Sequence, residues 1–263
     1  MIGSKDGYAL VTGASSGIGY ELAKLFAKDG KDIVVIARSQ DKLEELKTEI
    51  EDKYGTNVKV LVKDLSDPNS PQEIFTELEE NIVNVDVLVN NAGFGVYGMF
   101  SENDLQQELD MIQVNITSLT HLTKLFLRKM LENKSGHILN VGSTGSFVPV
   151  PLEAVYGASK SFVLSFSEAL ANELRGTGVS VTCLCPGLTD TGFYERAVGK
   201  EPNPNKRRHM MDAATIAKAG YKALAKGKAS TVPGLFNKLI PIGIRVFPRS
   251  WIVRMSRWMM EQA

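Results

Sequence analysis

Short apolar runs and amphipathic helical stretches alternate along this chain from residue 8 to residue 185. Tyr8–Thr12 reads as a strand and Gly13–Gly19 as a turn. Ile18, Leu22, Leu25 and Phe26 then recur at helical spacing until Asp29-Gly30 ends the period. Asp32–Ala37, Asn57–Val62, Asp86–Val89, His137–Val141 and Val179–Cys185 read as five further strands. Helices are expected between them, over about 40–54, 71–82, 104–131 and 153–174. Strands separated by helices pair in parallel through right-handed crossovers. The pattern predicts an α/β fold, a doubly wound parallel sheet with helices on both faces. It contains no internal repeat and no low-complexity linker. One domain is expected over 1–230, with a basic, apolar C-terminal extension over 231–263.

Composition narrows the function classes. Apolar residues are 43% and charged residues 23% of 263, which is enough to bury a core and argues against disorder. The formal net charge is zero, so no whole-domain basic field for nucleic acid exists. The balance is uneven, however: residues 200–263 hold 13 Lys/Arg against 3 Asp/Glu. No apolar run is long enough for a membrane span, and Met1–Gly7 lacks the apolar stretch of a signal peptide. Cys183 and Cys185 are the only cysteines, which makes a reducing cytoplasm the expected location. They alternate onto one face of a strand, and no further ligands accompany them, so buried packing is expected rather than a metal site.

Thr12-Gly13-Ala14-Ser15-Ser16-Gly17-Ile18-Gly19 joins the first strand to the first helix. A parallel sheet binds a pyrophosphate there, because glycines admit the anion to the backbone and the helix start offers free N–H groups. The spacing is GxxxGxG rather than GxGxxG. Gly13-Ala14-Ser15-Ser16-Gly17 also fits the nucleophile elbow of hydrolases. Only twelve residues precede it to build an oxyanion hole, and of the histidines His121 falls in a helix, His137 in a strand and only His209 in a loop. The hydrolase reading is therefore set aside.

Tyr156 and Lys160 are four apart in a helical stretch and share a face. With TGASSGIG at 12–19, NNAG at 90–93, Asn115, Ser143, YGASK at 156–160 and Pro186-Gly187, residues 7–230 resemble the classical short-chain dehydrogenase/reductase family. The reaction this implies, reducing a ketone, takes a hydride, a proton for the developing alkoxide and donors for the carbonyl oxygen. A free tyrosine has a pKa of about 10. Lowering it by roughly three pH units takes about 4 kcal/mol, which a nearby ammonium and a cationic nicotinamide can supply.

That resemblance implies a Rossmann-type fold, makes residues 1–230 a dinucleotide-binding catalytic domain with its substrate loop at 188–212, and assigns roles. Tyr156 is the general acid/base, Ser143 holds the substrate oxygen, Lys160 binds the nicotinamide ribose, and Asn115 relays protons through a water. Gly13, Ser15, Ser16, Gly17, Ile18 and Gly19 hold the pyrophosphate. Asn91, Ala92 and Gly93 line the cofactor, Asp64 and Leu65 meet the adenine, and Pro186, Gly187, Leu188 and Thr191 meet the carboxamide and phosphates. A homodimer or homotetramer paired through long helices is also implied.

The end of the second strand bears on the cofactor expected. NAD-binding chains carry an acid after it, for the ribose 2′-hydroxyl. Ala37 stands at that position and Arg38 comes next, so NADP(H) is expected over NAD(H). Phe193 and Tyr194 are expected to wall the substrate site, with Phe94, Val96, Tyr97 and Phe147 either joining that wall or packing in the core. In the extension Trp251, Ile252, Met255, Trp258 and Met259 share one helical face. That face fits core or subunit packing, peripheral contact with an anionic membrane, or an acidic partner such as an acyl carrier. The tail resembles the hydroxysteroid and long-chain ketoacyl reductase branch, which implies a small apolar carbonyl/alcohol substrate. The rival readings are a non-catalytic NADP(H)-sensing protein and a nucleotide-sugar epimerase or dehydratase.

Overall fold

The computed structural model describes residues 2–4, 7–201, 207–208 and 210–261. The strands of the main sheet are β1 (Tyr8–Thr12), β2 (Asp32–Ala37), β3 (Val58–Val62), β4 (Val85–Asn90), β5 (Gly136–Val141), β6 (Val179–Leu184) and β9 (Ser230–Thr231). All seven run parallel, in the order β3-β2-β1-β4-β5-β6-β9. A second, two-stranded pairing joins β7 (Thr189–Asp190) to β8 (Met211–Asp212) within the expected substrate loop. The helices are α1 (Gly17–Lys28), α2 (Gln40–Tyr54), α3 (Ser70–Glu80), α4 (Leu105–Ile112), α5 (Leu119–Glu132) and α6 (Ala154–Glu173). They continue with α7 (Phe193–Val198), α8 (Ala213–Ala225), α9 (Ile240–Val246) and α10 (Arg249–Glu261). This is the doubly wound sheet read from the sequence.

Alternation along the strands builds the two layers. Ala9 and Val11 of β1, with Ile33 and Val35 of β2, point into a core shared with Leu22 and Phe26 of α1 and Leu43 and Leu46 of α2. Leu10, Val34 and Ile36 point the other way, onto Ile74 of α3 and Leu122, Phe126 and Met130 of α5. Cys183 and Cys185 lie buried with Leu119 and Val163, as packing predicted, with their sulfurs 3.6 Å apart.

The expected helix over 104–131 is two helices joined by a π-helical turn at Gln113–Ser118. The region past residue 187 also holds order that the strand–helix reading does not extend to. Asp212 caps α8 by accepting from Thr215 N at 2.7 Å, and Ile216, Ala217, Ala223 and Leu224 pack it onto the sheet. β9 then adds the seventh strand, pairing Ser230 with Cys183 and Thr231 with Leu184, so it straddles the boundary expected at 230.

Two buried polar clusters brace the sheet. Asn90 of β4 donates to Asn140 Oδ1 of β5 at 2.9 Å, and Asn140 donates to Ser167 Oγ of α6 at 2.9 Å. At the opposite end of the strands Lys31 pairs with Asp86 Oδ1 at 2.7 Å and donates to the Ser4 carbonyl at 2.8 Å.

Candidate active site

The carboxyl ends of the strands open into one cleft of about 1190 Å³. Every residue named above for cofactor or catalysis lines it except Gly19 and Asn115, which sit one layer behind. At its centre, Gly13 and Gly17 take positive φ of 65° and 60°, a conformation that favours glycine. A Cβ on Gly13 would meet the Ala92 backbone at 2.9 Å. The turn is tied to β4 by side chains: Asn91 Nδ2 donates to the Thr12 and Gly13 carbonyls at 2.9 and 3.1 Å. Thr12 Oγ1 accepts from the Asn91 and Ala92 N–H groups, both at 3.0 Å. Asn91 thus braces the glycine turn while lining the cleft beside it. Ser16, at the start of α1, makes no side-chain cap, so the first-turn N–H groups face the cleft without one.

One end of the cleft is basic. Arg38, just past β2, is largely exposed and loosely paired with Asp64 at 3.8 Å. Ser39 and Lys42, at the start of α2, line the same end. Sequence reasoning passes over these two; Lys42 stands one helical turn after Arg38, which is the signal that could find it.

The middle of the cleft carries the polar constellation. Ser143 is in hydrogen-bond contact with the Tyr156 hydroxyl and also accepts from Gly145 N at 3.0 Å. The Tyr156 ring lies 5.5 Å from that of Phe193, and Lys160 Nζ is 5.8 Å from the Tyr156 ring centre. Lys160 is buried and donates to the Val141 carbonyl at 2.9 Å. Asn115 sits in the π-helical turn, donating to the Phe94 carbonyl and Ser159 Oγ, both at 3.0 Å. A Cβ on Gly93 would meet Asn115 Oδ1 at 2.9 Å and Lys160 Nζ at 3.2 Å, so a side chain there would push on both groups.

Burial dominates the titration of both central groups. It pushes the Tyr156 phenol well above its ordinary range; the Glu153 carboxylate adds to this and Ser143 opposes it. It brings the Lys160 ammonium from 10.5 down to about 8. Because the folded protein binds this proton less tightly than the unfolded chain, Lys160 costs stability at pH below about 8. The cost is relieved as pH rises from about 8 to 10.5. Lys160→Met is expected to remove that gain, about 3 kcal/mol across the window, in urea denaturation at stepped pH. Parallel pH profiles for the two proteins would sink the assignment.

The other end is mainly apolar. Phe94, Phe193, Tyr194 and Leu188 line the cleft, with Arg196 of α7 the charged side chain among them, whereas Phe147 packs in the core and Val96 and Tyr97 stand off the cleft. Met259 and Met260 of α10 close it. The face expected on α10 divides: Ile252 is buried, while Trp251, Met255 and Trp258 are exposed. Neither His121 nor His137 lines the cleft that Ser15 lines, and His209 lies outside the described residues.

A family model described as short chain dehydrogenase matches residues 7–201. The chain belongs to the short-chain dehydrogenase family. It is an oxidoreductase of that family, which works with a nicotinamide cofactor. This short-chain dehydrogenase is 32% identical over 213 residues to an uncharacterized oxidoreductase of Staphylococcus epidermidis, covering 81% of this chain and 91% of that one. It is 34% identical over 240 residues to a very-long-chain 3-oxoacyl-CoA reductase of Pyrenophora tritici-repentis, covering 87% and 68%. A short-chain dehydrogenase from Sphingobium yanoikuyae, solved in complex with NADPH, superposes with a TM-score of 0.80 at 31% identity, covering 91% and 93%. The glycine turn with its close backbone approach, the uncapped helix start and the basic end make a donor set that suits a phosphorylated dinucleotide. No helix among the described residues is long and apolar enough to cross a membrane.

Proposed function

We propose that the protein is an NADP(H)-dependent reductase/dehydrogenase acting on an apolar ketone/alcohol pair. The observation that carries this is the order of groups along one cleft: a basic end, a glycine turn, the Ser143–Tyr156–Lys160 cluster, then an apolar end. The Sphingobium relative solved with NADPH supports the cofactor, and the 3-oxoacyl-CoA reductase supports a long apolar substrate. Residues up to Thr231 form the cofactor and catalytic unit in this reading, and the extension serves the substrate end.

Gly13, Ser15, Ser16 and Gly17 hold the pyrophosphate at the start of α1, with Ile18 beside them and Gly19 giving the clearance behind. Asp64 and Leu65 flank the adenine, Asn91, Ala92 and Gly93 the middle, and Pro186, Gly187, Leu188 and Thr191 the carboxamide side. Bound nicotinamide supplies or receives the hydride and, when oxidised, brings a positive charge near Tyr156. In reduction Tyr156 Oη gives its proton to the carbonyl oxygen, and Ser143 Oγ steadies the same oxygen as charge develops. The raised phenol suits a proton donor at neutral pH. Lys160, with its lowered affinity for a proton, reprotonates the tyrosine, and Asn115 positions the Phe94 backbone and Ser159 around that exchange. Exposed Leu105, Leu109 and Ile112 on α4 and Phe162 on α6 offer an apolar face for pairing into an oligomer.

The clamp on the 2′-phosphate is Arg38. Its pairing with Asp64 is exposed and long, so it gives way to a phosphate at little cost. Arg38→Ala is expected to weaken NADPH binding by about 10- to 100-fold and to leave NADH binding nearly unchanged. Fluorescence titration of both cofactors reads this; equal losses would remove the clamp. Turnover is tested by oxidation of NADPH and NADH against ketones graded by chain length and ring size. Turnover with NADPH that rises with substrate hydrophobicity is the expected result. Turnover confined to small polar ketones, or to NADH, would overturn the assignment.

A further inference from the structure

The extension after Thr231 has two faces. Its inner face closes the substrate end of the cleft: Ile240, Ser256, Met259 and Met260 line it, and Tyr97 Oη donates to the Met260 carbonyl at 2.9 Å. Its outer face is apolar and turned away from the rest of the described structure. On α10, Trp251, Met255 and Trp258 recur at i, i+4 and i+7 and are 65%, 56% and 60% exposed. Phe236, ahead of α9, and Val246, at its end, are 84% and 73% exposed. Single exposed apolar side chains are ordinary, but this many large ones on one short segment mark a surface that something covers.

Charge says what covers it. The extension carries Lys238, Arg245, Arg249, Arg254 and Arg257 against one acid, Glu261. Glu261 is already paired with Arg257 at 2.6 Å. Arg254 lies between the two tryptophans along the helix axis and beside them on the wheel, three residues after Trp251 and four before Trp258. Indole rings with flanking guanidinium groups on an exposed helix face suit the headgroup layer of a bilayer bearing negative lipid. A second copy of this chain fits poorly. A two-fold contact through this face would bring two copies of Arg254 into one apolar interface, and the nearest acid of α10, Glu261, is already paired with Arg257.

We infer that the outer face of α9 and α10 docks on an anionic membrane surface, and that the cleft behind α10 takes its apolar substrate from the lipid. The loading step rests on the function proposed above; the docking does not. Trp251 and Trp258 are the protein's two tryptophans, so intrinsic tryptophan fluorescence reads α10 and nothing else. The full chain is titrated with phosphatidylcholine vesicles with and without phosphatidylserine. The expected result is a blue shift and co-sedimentation with the anionic vesicles, reversed by high salt. A triple variant, Phe236→Glu, Val246→Glu and Met255→Glu, keeps both reporters and touches no cleft-lining side chain. It is expected to bind these vesicles about tenfold more weakly or worse.

With NADPH, the variant should lose turnover of a long-chain ketone carried in vesicles and keep turnover of a short water-soluble ketone. Absence of both shift and co-sedimentation would overturn the docking. So would a tryptophan shift that tracks protein concentration instead of lipid, with the triple variant monomeric, which would assign the face to a second copy. Vesicle binding without turnover of either ketone would leave the docking standing and sink the reductase reading. Vesicle binding with equal losses on both ketones would overturn loading from the lipid.

Discussion

Tyr156→Phe is expected to lower kcat by about a hundredfold to ten-thousandfold while NADPH affinity holds. The substitution deletes only the hydroxyl. The ring contact with Phe193 at 5.5 Å and the Lys160 ammonium at 5.8 Å from the ring centre involve atoms that phenylalanine keeps. The cleft walls therefore stay in place, and the proton donor in contact with Ser143 disappears. Steady-state turnover and NADPH fluorescence titration, run on the same preparation, separate the two effects. Retained turnover would move the proton transfer off Tyr156. A wild-type protein that binds NADPH tightly, turns over nothing, and is indifferent to this change would be a cofactor sensor.

Lys31→Ala is expected to cost about 3–5 kcal/mol of stability in urea denaturation, with kcat unaffected. Lys31 is 1% exposed, and its ammonium meets both Asp86 and the Ser4 carbonyl. Asp86 also accepts from Ser4 Oγ at 2.9 Å, and the Gly7 backbone packs directly on its carboxylate. Removing the lysine leaves that carboxylate buried without its counter-ion, which is far worse than never having had the pair. The double change Lys31→Met with Asp86→Leu should therefore recover most of the loss. A cost below about 1 kcal/mol for Lys31→Ala would mean that the pair is hydrated and contributes little. The cluster stands at the amino ends of β2 and β4, the opposite end of the sheet from the cleft, so activity per folded molecule should not move.

The half of the cleft made by β1 to β6 is legible in the chain because local rules decide it. A glycine turn between a strand and a helix, an arginine after β2, and Tyr156 and Lys160 one turn apart each announce themselves within a few residues. The π-helical turn under Asn115 is not legible this way. Six residues there take a wider winding that lets one side chain bond to both Phe94 and Ser159, and that is settled by the neighbours. Helix α8 is legible in principle: Asp212 is a capping residue, and Ile216, Ala217, Ala223 and Leu224 keep the helical period. It escapes a strand–helix reading because the chain around it changes character after β6. On α10 the period is plain, yet it does not say which arc turns inward. Ile252 and Ser256 meet the body, so Trp251 and Trp258 cannot. Ser39 and Lys42 join the basic end because α2 starts against the cleft; the spacing of Lys42 one turn after Arg38 hints at it, whereas nothing local singles out Ser39.

The closing strand of the main sheet has one further consequence. β9 is two residues long and lies at the sheet edge, after every element that carries the glycine turn, Arg38, Asp64 and Tyr156. The segment beyond Thr231 can be replaced without unpicking any interior strand. Mutation and selection can thus rewrite the ending of such a chain, changing its cargo and its berth, while the nucleotide cradle is inherited intact.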